Sequence, residues 1–327
     1  MTPTEILVPR LPPELLRRHA CHEPTDTRYR AAARLAQALW RESRGLAAGR
    51  YRDAATGRWR RLGSRFGLRP AAAGANLVDS ILMPLIRREL AYCEPGAAID
   101  ERRLWQNMLS SQALAFSLFG PLKLNLALAT AVLSRLAPDI IGVVNEIVFE
   151  HSPGRGDTRF TGDRTAFDVL VRCTTPTGRS AFLAIEVKYT EAPGGVGVEP
   201  CPRYDELSRQ AGVFIEPNAP TLRSGALNQF WRQQLLATAM LRNGLYEQGR
   251  VVVLAPLPNR QACRATALYA SHLVSLDPAE ARFQALTLEL FVSALAEAGA
   301  EPLADLIAER YLDFRPADAA LQDALAA

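Results

Sequence analysis

The first part of the chain has the apolar periodicity of amphipathic helices. Residues 27–49 place Ala, Leu and Trp on one side of a helix and Arg on the other. Further helices are predicted around 76–93, 100–118 and 122–136, and Pro138 ends the last of them. The pattern therefore predicts a largely helical N-terminal region.

After Pro138 the apolar residues follow a different pattern, with runs rich in β-branched and aromatic side chains. Two of these runs are joined by TTPTGR, whose proline and glycine suit a hairpin turn. A long helix then ends at Gly244, which is well placed to terminate it. The predicted strands are 140–150, 166–173, 180–190 and 249–258, and the helix between the last two spans 225–244. The region from 122 to 257 is thus predicted to run α-β-β-β-α-β.

This element order predicts an α/β fold with a mixed central sheet flanked by helices. We expect residues 105–275 to form the core, preceded by a helical, Arg-rich extension over 1–104. Residues 276–327 are rich in Ala and Leu and are predicted to be a helical segment packed on the core.

Composition narrows the class of protein. Of the 327 residues, 48% are hydrophobic and 22% charged, which is ordinary for a globular chain with a sizeable core. The five cysteines are dispersed without a CxxC pair, which favours reduced thiols over disulfides or a zinc site. No signal peptide and no apolar window of membrane-spanning length is apparent. We therefore expect a cytoplasmic protein without a membrane partner.

Two acidic residues and a lysine interrupt the apolar strands of the predicted hairpin. Because side chains alternate along a strand, Glu186 and Lys188 share one face, and the hairpin brings Asp168 alongside Glu186. Two carboxylates and a lysine are the groups that metal-assisted phosphodiester hydrolysis needs. The alternative, non-catalytic interpretation of Glu186 and Lys188 is a solvated strand face or a structural ion pair.

The order of Asp168, Glu186 and Lys188 within AFDVLV and AIEVKYTE resembles the PD-(D/E)xK nuclease superfamily, in particular its bacterial restriction-endonuclease-like members. The resemblance covers roughly residues 105–257. It implies a restriction-endonuclease-like core in which Asp168 and Glu186 bind the metal and Lys188 is the catalytic lysine. Phe167 occupies the position at which the superfamily pattern has proline, and this position commonly varies within the superfamily.

The resemblance also implies further site residues. The superfamily often has a third acidic ligand on its first helix or strand, and Glu150 fits that place, with Glu146 as the rival. In the helix after the motif, Gln234 lies on the apolar face and matches a glutamine that touches the site in the exonuclease-type branch. Gln233 fits a neighbouring register almost as well.

Basic residues suggest where nucleic acid would bind. Residues 50–70 interleave arginines with aromatic residues, so they are interpreted either as a phosphate-binding segment or as a solvated basic loop. Arg164 beside the motif is expected to contact phosphate or to pair with Asp163 or Glu150. The full set of predicted nucleic-acid contacts is Arg58, Arg60, Arg61, Arg155, Arg164 and Tyr189.

These inferences predict a Mg²⁺-dependent DNA endonuclease, with Mn²⁺ as a substitute. The resemblance to restriction-endonuclease-like members implies that it acts in restriction or defence against foreign DNA. Alternatives are a non-catalytic binding module on the same fold, and an RNA-directed or exonuclease-type enzyme. Double-strand cutting by a single-site enzyme implies two copies of the chain, hence a homodimer, or sequential nicks. The sequence does not specify which bases are read.

Overall fold

The computed structural model describes residues 8–53, 56–192, 194, 201–274 and 282–326. Within these ranges the strands form a five-stranded sheet and a separate two-stranded ribbon. The ribbon consists of β1 (Ala48–Arg52) and β2 (Trp59–Phe66). The large sheet consists of β3 (Val143–His151), β4 (Phe167–Thr174), β5 (Ser180–Val187), β6 (Gln248–Ala255) and β7 (Phe283–Thr287).

Helices surround the large sheet. The described residues contain α1 (Pro13–Arg18), α2 (Arg28–Ser43), α3 (Leu68–Ala72), α4 (Met83–Ala91), α5 (Glu101–Gln106), α6 (Ser111–Leu124), α7 (Leu126–Leu136), α8 (Pro202–Ala211), α9 (Asn228–Arg242), α10 (Arg260–Ala270), α11 (Leu288–Glu297), α12 (Glu301–Tyr311) and α13 (Arg315–Ala326). Within the described ranges no single helix is long and apolar enough to cross a membrane; α6 and α7 meet that criterion only together, across a bend of 119°.

The sheet is mixed, in the order β3-β4-β5-β6-β7. The first three strands form an antiparallel meander, whereas β5–β6 and β6–β7 pair in parallel. The parallel connection requires a crossover, which α8 and α9 supply. The predicted α-β-β-β-α-β run is present as α7-β3-β4-β5-α9-β6, so the expected α/β fold with a mixed sheet flanked by helices is confirmed.

Two apolar cores lie on the two faces of the sheet. Val169, Val171 and Ile185 point to one core, which includes residues of α6, α7 and α11. Leu170 and Ala184 point to the other core, against α9 and α8. Both faces of β4 and β5 are therefore packed against helices, and the Glu186 side chain is buried within β5.

The sequence did not predict two strand-containing parts of the fold, the ribbon and β7. Residues 50–70 contain most of the ribbon and are not a loop. The ribbon strands are rich in arginine and lack the apolar run that marks a buried strand. The C-terminal segment is not wholly helical, since β7 adds a parallel edge strand. Its five residues, FQALT, are too short and mixed to be recognised by periodicity.

The two terminal regions pack against each other through a buried guanidinium. Arg310 of α12 is 4% exposed and donates to Gln37 Oε1 of α2 at 2.8 Å and to Asn76 Oδ1 at 3.1 Å. Its Cζ lies 3.8 Å from the centroid of the Trp40 ring. Burial lowers the pKa of Arg310, while its hydrogen bonds and aromatic neighbours compensate the buried charge.

We expect Arg310→Ala to destabilise the protein by about 3 kcal/mol, because the acceptors of Gln37 and Asn76 lose their buried donor. Urea denaturation with far-ultraviolet circular dichroism measures the change. Arg315→Ala, at a side chain that is 89% exposed, is the matched control and should fall within about 0.5 kcal/mol of wild type. Equal effects of the two substitutions would contradict a structural role for Arg310.

Candidate active site

The two motif carboxylates lie on neighbouring strands at one end of the sheet. The β4–β5 ladder ends at the pair Val169–Ile185, and Asp168 and Glu186 are one step beyond it. Val187 N–H donates to Asp168 Oδ2 at 2.8 Å, which fixes the Asp168 side chain against the end of β5. The hairpin thus brings together the residues that the sequence predicted.

Glu186 is buried and its carboxylate is fully engaged. Lys188 Nζ lies 2.6 Å from Oε1, and Gln229 Nε2 donates to the same oxygen at 2.8 Å. Gln233 Nε2 donates to Oε2 at 2.5 Å. The ammonium of Lys188 also donates to Gln229 Oε1 at 2.9 Å. Carboxylate, ammonium and two amides therefore form one network between β5 and α9.

Lys188 stays protonated in this network. Burial would lower its pKa, but the negative charges of Glu186 and Asp168 outweigh that effect and raise it. The lysine is unusual in this chain, since only two of its 38 basic residues are lysines. The other, Lys123, forms an ion pair with Glu89 at 2.7 Å.

Excess negative charge accumulates around this single ammonium. Burial, and then the charges of Glu186 and Glu150, raise the pKa of Asp168 well above its ordinary value. Burial also raises the pKa of Glu150 to about 7, with the charge of Glu186 adding to it. Because Glu186 and Glu150 both raise the pKa of Asp168, and Glu186 raises that of Glu150, the three form one electrostatic cluster.

Glu150 is placed by an irregularity at the end of β3. It has a left-handed backbone conformation, with φ of 48°. Its Oε1 accepts from Gln112 Nε2 at 3.2 Å, and its carbonyl accepts from Arg155 at 3.1 Å. Glu146 instead pairs with Arg172 at 2.7 Å and is half exposed. Of the two rival acidic residues, Glu150 is the one that reaches the cluster.

The donor set suits a hard divalent cation. Asp168, Glu186 and Glu150 offer carboxylate oxygens, which Mg²⁺ prefers, and their mutual repulsion is relieved by added positive charge. Within the described ranges, no three His, Cys, Asp or Glu side chains already surround a common ion position. The chemistry of the site thus fits a cation, while Glu186 is held by Lys188 and the glutamines.

The glutamine that reaches Glu186 is Gln233 rather than the predicted Gln234. The Gln234 side chain is buried, and its Oε1 has no hydrogen-bond partner among the described residues. Helical geometry explains the difference, because Gln229 and Gln233 are four residues apart and share one face of α9. Sequence reasoning missed Gln229, although that spacing would have revealed it.

Two of the residues predicted to bind nucleic acid beside the motif are engaged by the protein itself. Tyr189 is 1% exposed and its hydroxyl accepts from Gln37 at 3.2 Å, so its predicted contact is wrong. Arg155 donates to Glu94 Oε2 at 3.2 Å and to the Glu150 carbonyl, which secures the loop after β3. Arg164 is exposed, and Asp163 is bound by other residues, including Arg232 at 3.2 Å.

The three predicted arginines of the ribbon differ in accessibility. Arg58 and Arg61 are exposed. Arg60 is paired with Glu23 at 3.2 Å and with Asp53 at 3.3 Å. Its charge is therefore largely compensated by the protein, and Arg60 is poorly suited to the phosphate contact that the sequence predicted.

We expect Glu150→Gln to alter the pH dependence of stability in cation-free protein. A carboxyl with its pKa raised to about 7 stabilises the fold fully below the unfolded pKa and loses that contribution as pH rises through 7. Relative to wild type, the variant should therefore gain about 2 kcal/mol in unfolding free energy between pH 5.5 and 8. Urea denaturation in EDTA measures this gain, with Glu146→Gln as control. An equal gain in unfolding free energy for Glu146→Gln would contradict the assignment of the raised pKa to Glu150.

Comparison with known proteins agrees with this geometry. The family model described as the PD-(D/E)XK nuclease superfamily matches residues 24–313. No curated protein and no solved structure matches the chain significantly. The matched range covers most of the chain and contains both strands that carry the carboxylates, together with α9. The chain therefore belongs to the PD-(D/E)XK nuclease superfamily.

Proposed function

We propose that the protein is a Mg²⁺-dependent endonuclease that hydrolyses DNA phosphodiester bonds, with Mn²⁺ able to replace Mg²⁺. The observation that carries the proposal is the buried contact of Glu186 with Lys188, with Asp168 one strand away at the same end of the sheet. A buried ion pair beside additional carboxylates is costly for a fold, which favours a functional reason for its presence.

Each residue has a defined role in the proposed reaction. Asp168, Glu186 and Glu150 would hold the cation, which supplies charge neutralisation at the phosphate and acidifies a bound water. Protonated Lys188 stabilises the negative charge that develops on the phosphate and orients the attacking water. Gln229 bridges Lys188 and Glu186 and so fixes the ammonium. Water oxygen bonds to phosphorus, the bridging P–O bond breaks, and the departing oxygen takes a proton.

The proposed setting is restriction or defence against foreign DNA in the cytoplasm. Superfamily membership supports a nucleic-acid substrate, and the five cysteines are free thiols, in keeping with a reducing compartment. Cleavage of both strands is proposed to use two copies of the chain. Digestion of plasmid, linear DNA and RNA side by side separates this proposal from an RNA-directed or exonuclease-type enzyme.

A non-catalytic binding module is the second candidate. It is favoured by one observation, that the described acidic side chains do not already surround an ion position. Titration calorimetry with Mg²⁺ and Mn²⁺ separates the two candidates. Cation binding that disappears in Asp168→Asn supports the nuclease, whereas DNA binding without any cation binding supports the module.

We expect Asp168→Asn and Lys188→Ala to reduce plasmid cleavage in Mg²⁺ at least 100-fold, because each removes a group that acts on the charged phosphate. Lys123→Ala removes the other lysine and is the matched control, with activity close to wild type. Circular dichroism establishes that each variant is folded before its rate is compared. Wild-type rates in both site variants would refute the proposed mechanism.

We expect Gln233→Ala to lower the cleavage rate about 10-fold or more, because Glu186 Oε2 loses its amide donor. Gln234→Ala, one position along the same helix, is the control and should change the rate per folded molecule by less than about 3-fold. Initial rates at saturating Mg²⁺ measure both effects. A larger loss of cleavage rate in Gln234→Ala than in Gln233→Ala would identify Gln234 as the glutamine of the site.

A further inference from the structure

The ribbon has two chemically different faces. Arg50 pairs with Arg61 across it, and Arg52 pairs with Trp59. Because side chains alternate along each strand, these four side chains share one face, and all four are exposed. Neither strand contains an acidic residue. This face, called the Arg–Trp face below, therefore presents three positive charges and one aromatic ring.

The opposite face of the ribbon is neutralised by the rest of the protein. Tyr51 pairs with Arg60 there, and the Tyr51 hydroxyl donates to Glu23 Oε1 at 2.9 Å. Arg60 pairs with Glu23 and Asp53. Leu62 on the same face is buried. One face thus attaches the ribbon to the protein. On the other face Arg52 donates to the Gly57 carbonyl at 3.1 Å, and among the described residues no carboxylate pairs with Arg50, Arg52 or Arg61.

A groove adjoins the Arg–Trp face. It has a volume of about 700 Å³ and is lined by Arg50, Trp59, Leu68, Arg102 and Gln106, among others. Trp59 is 61% exposed and Leu68 is 79% exposed, so apolar surface is open to a ligand. The guanidinium carbon of Arg102 lies 5.7 Å from the centroid of the Trp59 ring. The groove combines an aromatic face with cations, the two features that bind bases and phosphates.

The ribbon is fixed close to the segment that carries the site. Ser64 O accepts from Met108 N–H at 3.0 Å, and Arg65 forms a bridge with Asn107. Shortly after these residues, Ser111 N–H donates to Glu191 Oε1 at 3.1 Å. Arg103 of α5 also contacts Glu191, three residues after Lys188. The helix that lines the groove is therefore bonded to the strand end that bears the lysine.

We propose that the Arg–Trp face and its groove bind an unpaired, single-stranded stretch of the nucleic-acid substrate next to the site of cleavage. The inference rests on the proposed function, because it assigns the substrate structure that the same site would act upon. Arginines 50, 52 and 61 contact consecutive phosphates, and Trp59 stacks on a base.

A single strand fits this surface better than the alternatives. Bases of a duplex stack on each other, so the exposed indole would find no free base face there. An acidic protein would satisfy the arginines but would not require the open aromatic groove beside them. The two strands that form the Arg–Trp face contain no carboxylate. A polyanionic ligand could therefore lie along the full length of this face without repulsion from the strands.

Fluorescence anisotropy with a labelled 20-nucleotide oligo-dT and a blunt 20-base-pair duplex tests the proposal in EDTA, where no cleavage interferes. We expect R50A/R52A/R61A to weaken oligo-dT binding about 10-fold or more and to reduce the salt slope of log K by about 2. Trp59→Ala should weaken it about 5-fold or more, and Trp59→Phe should recover most of the loss. The charge-matched control is R209A/R242A/R264A, at exposed arginines outside the ribbon.

Three outcomes overturn the proposal: ribbon variants that bind oligo-dT as well as the control, equal loss on duplex and single strand in Trp59→Ala, or no recovery in Trp59→Phe. The binding assay is independent of the cleavage assay. If Asp168→Asn cleaves normally while the ribbon variants lose binding, the nuclease mechanism fails and the ribbon assignment stands. If Asp168→Asn abolishes cleavage while the ribbon variants bind normally, the ribbon assignment alone fails.

Discussion

The electrostatic balance at the end of β4 and β5 is the constraint on which the rest of the structure depends. Both faces of these strands pack against helices, and there Glu186 is buried and Asp168 is partly buried. One ammonium, Lys188, pairs directly with Glu186, while burial and then the neighbouring carboxylates raise the pKa of Asp168 and Glu150. A fold selected for stability alone would gain by replacing this cluster with apolar residues. The presence of the cluster in a buried position is therefore consistent with the cation-binding role proposed above.

Helices from the N-terminal and C-terminal parts of the chain are bonded to the segment that follows β5. Gln37 of α2 donates to the Tyr189 hydroxyl, one residue after Lys188, and also to the Arg310 carbonyl of α12. Glu191 accepts from Ser111 N–H at the start of α6. Both terminal regions are thus bonded to the chain segment that follows β5, since the Tyr189 hydroxyl also donates to the Tyr311 carbonyl of α12. Both α2 and α12 lie within the range 24–313 that the family model matches.

The sequence predicted the parts of the fold in which local pattern and tertiary environment agree. β3 to β6 are long apolar runs, and Asp168, Glu186 and Lys188 interrupt them where a hairpin aligns them. β7 and the ribbon were missed, because a short edge strand and an Arg-rich hairpin owe their structure to partners distant in sequence. Tyr189 was misassigned for the same reason. Alternation alone does not tell which strand-end residue meets solvent, and here α2 and α12 cover it.

The choice of lysine at position 188 follows from the geometry around it. The chain uses arginine for nearly every other positive charge, including the buried pairs of its N-terminal region. A guanidinium is planar and directs its donors in a fixed fork, whereas an ammonium is compact and rotates its three donors freely. Lys188 donates to Glu186 and Gln229 within a closely packed site, and its third N–H is not used by these two bonds. The compact ammonium fits these two contacts inside the buried site, where the larger planar guanidinium of an arginine would need more space.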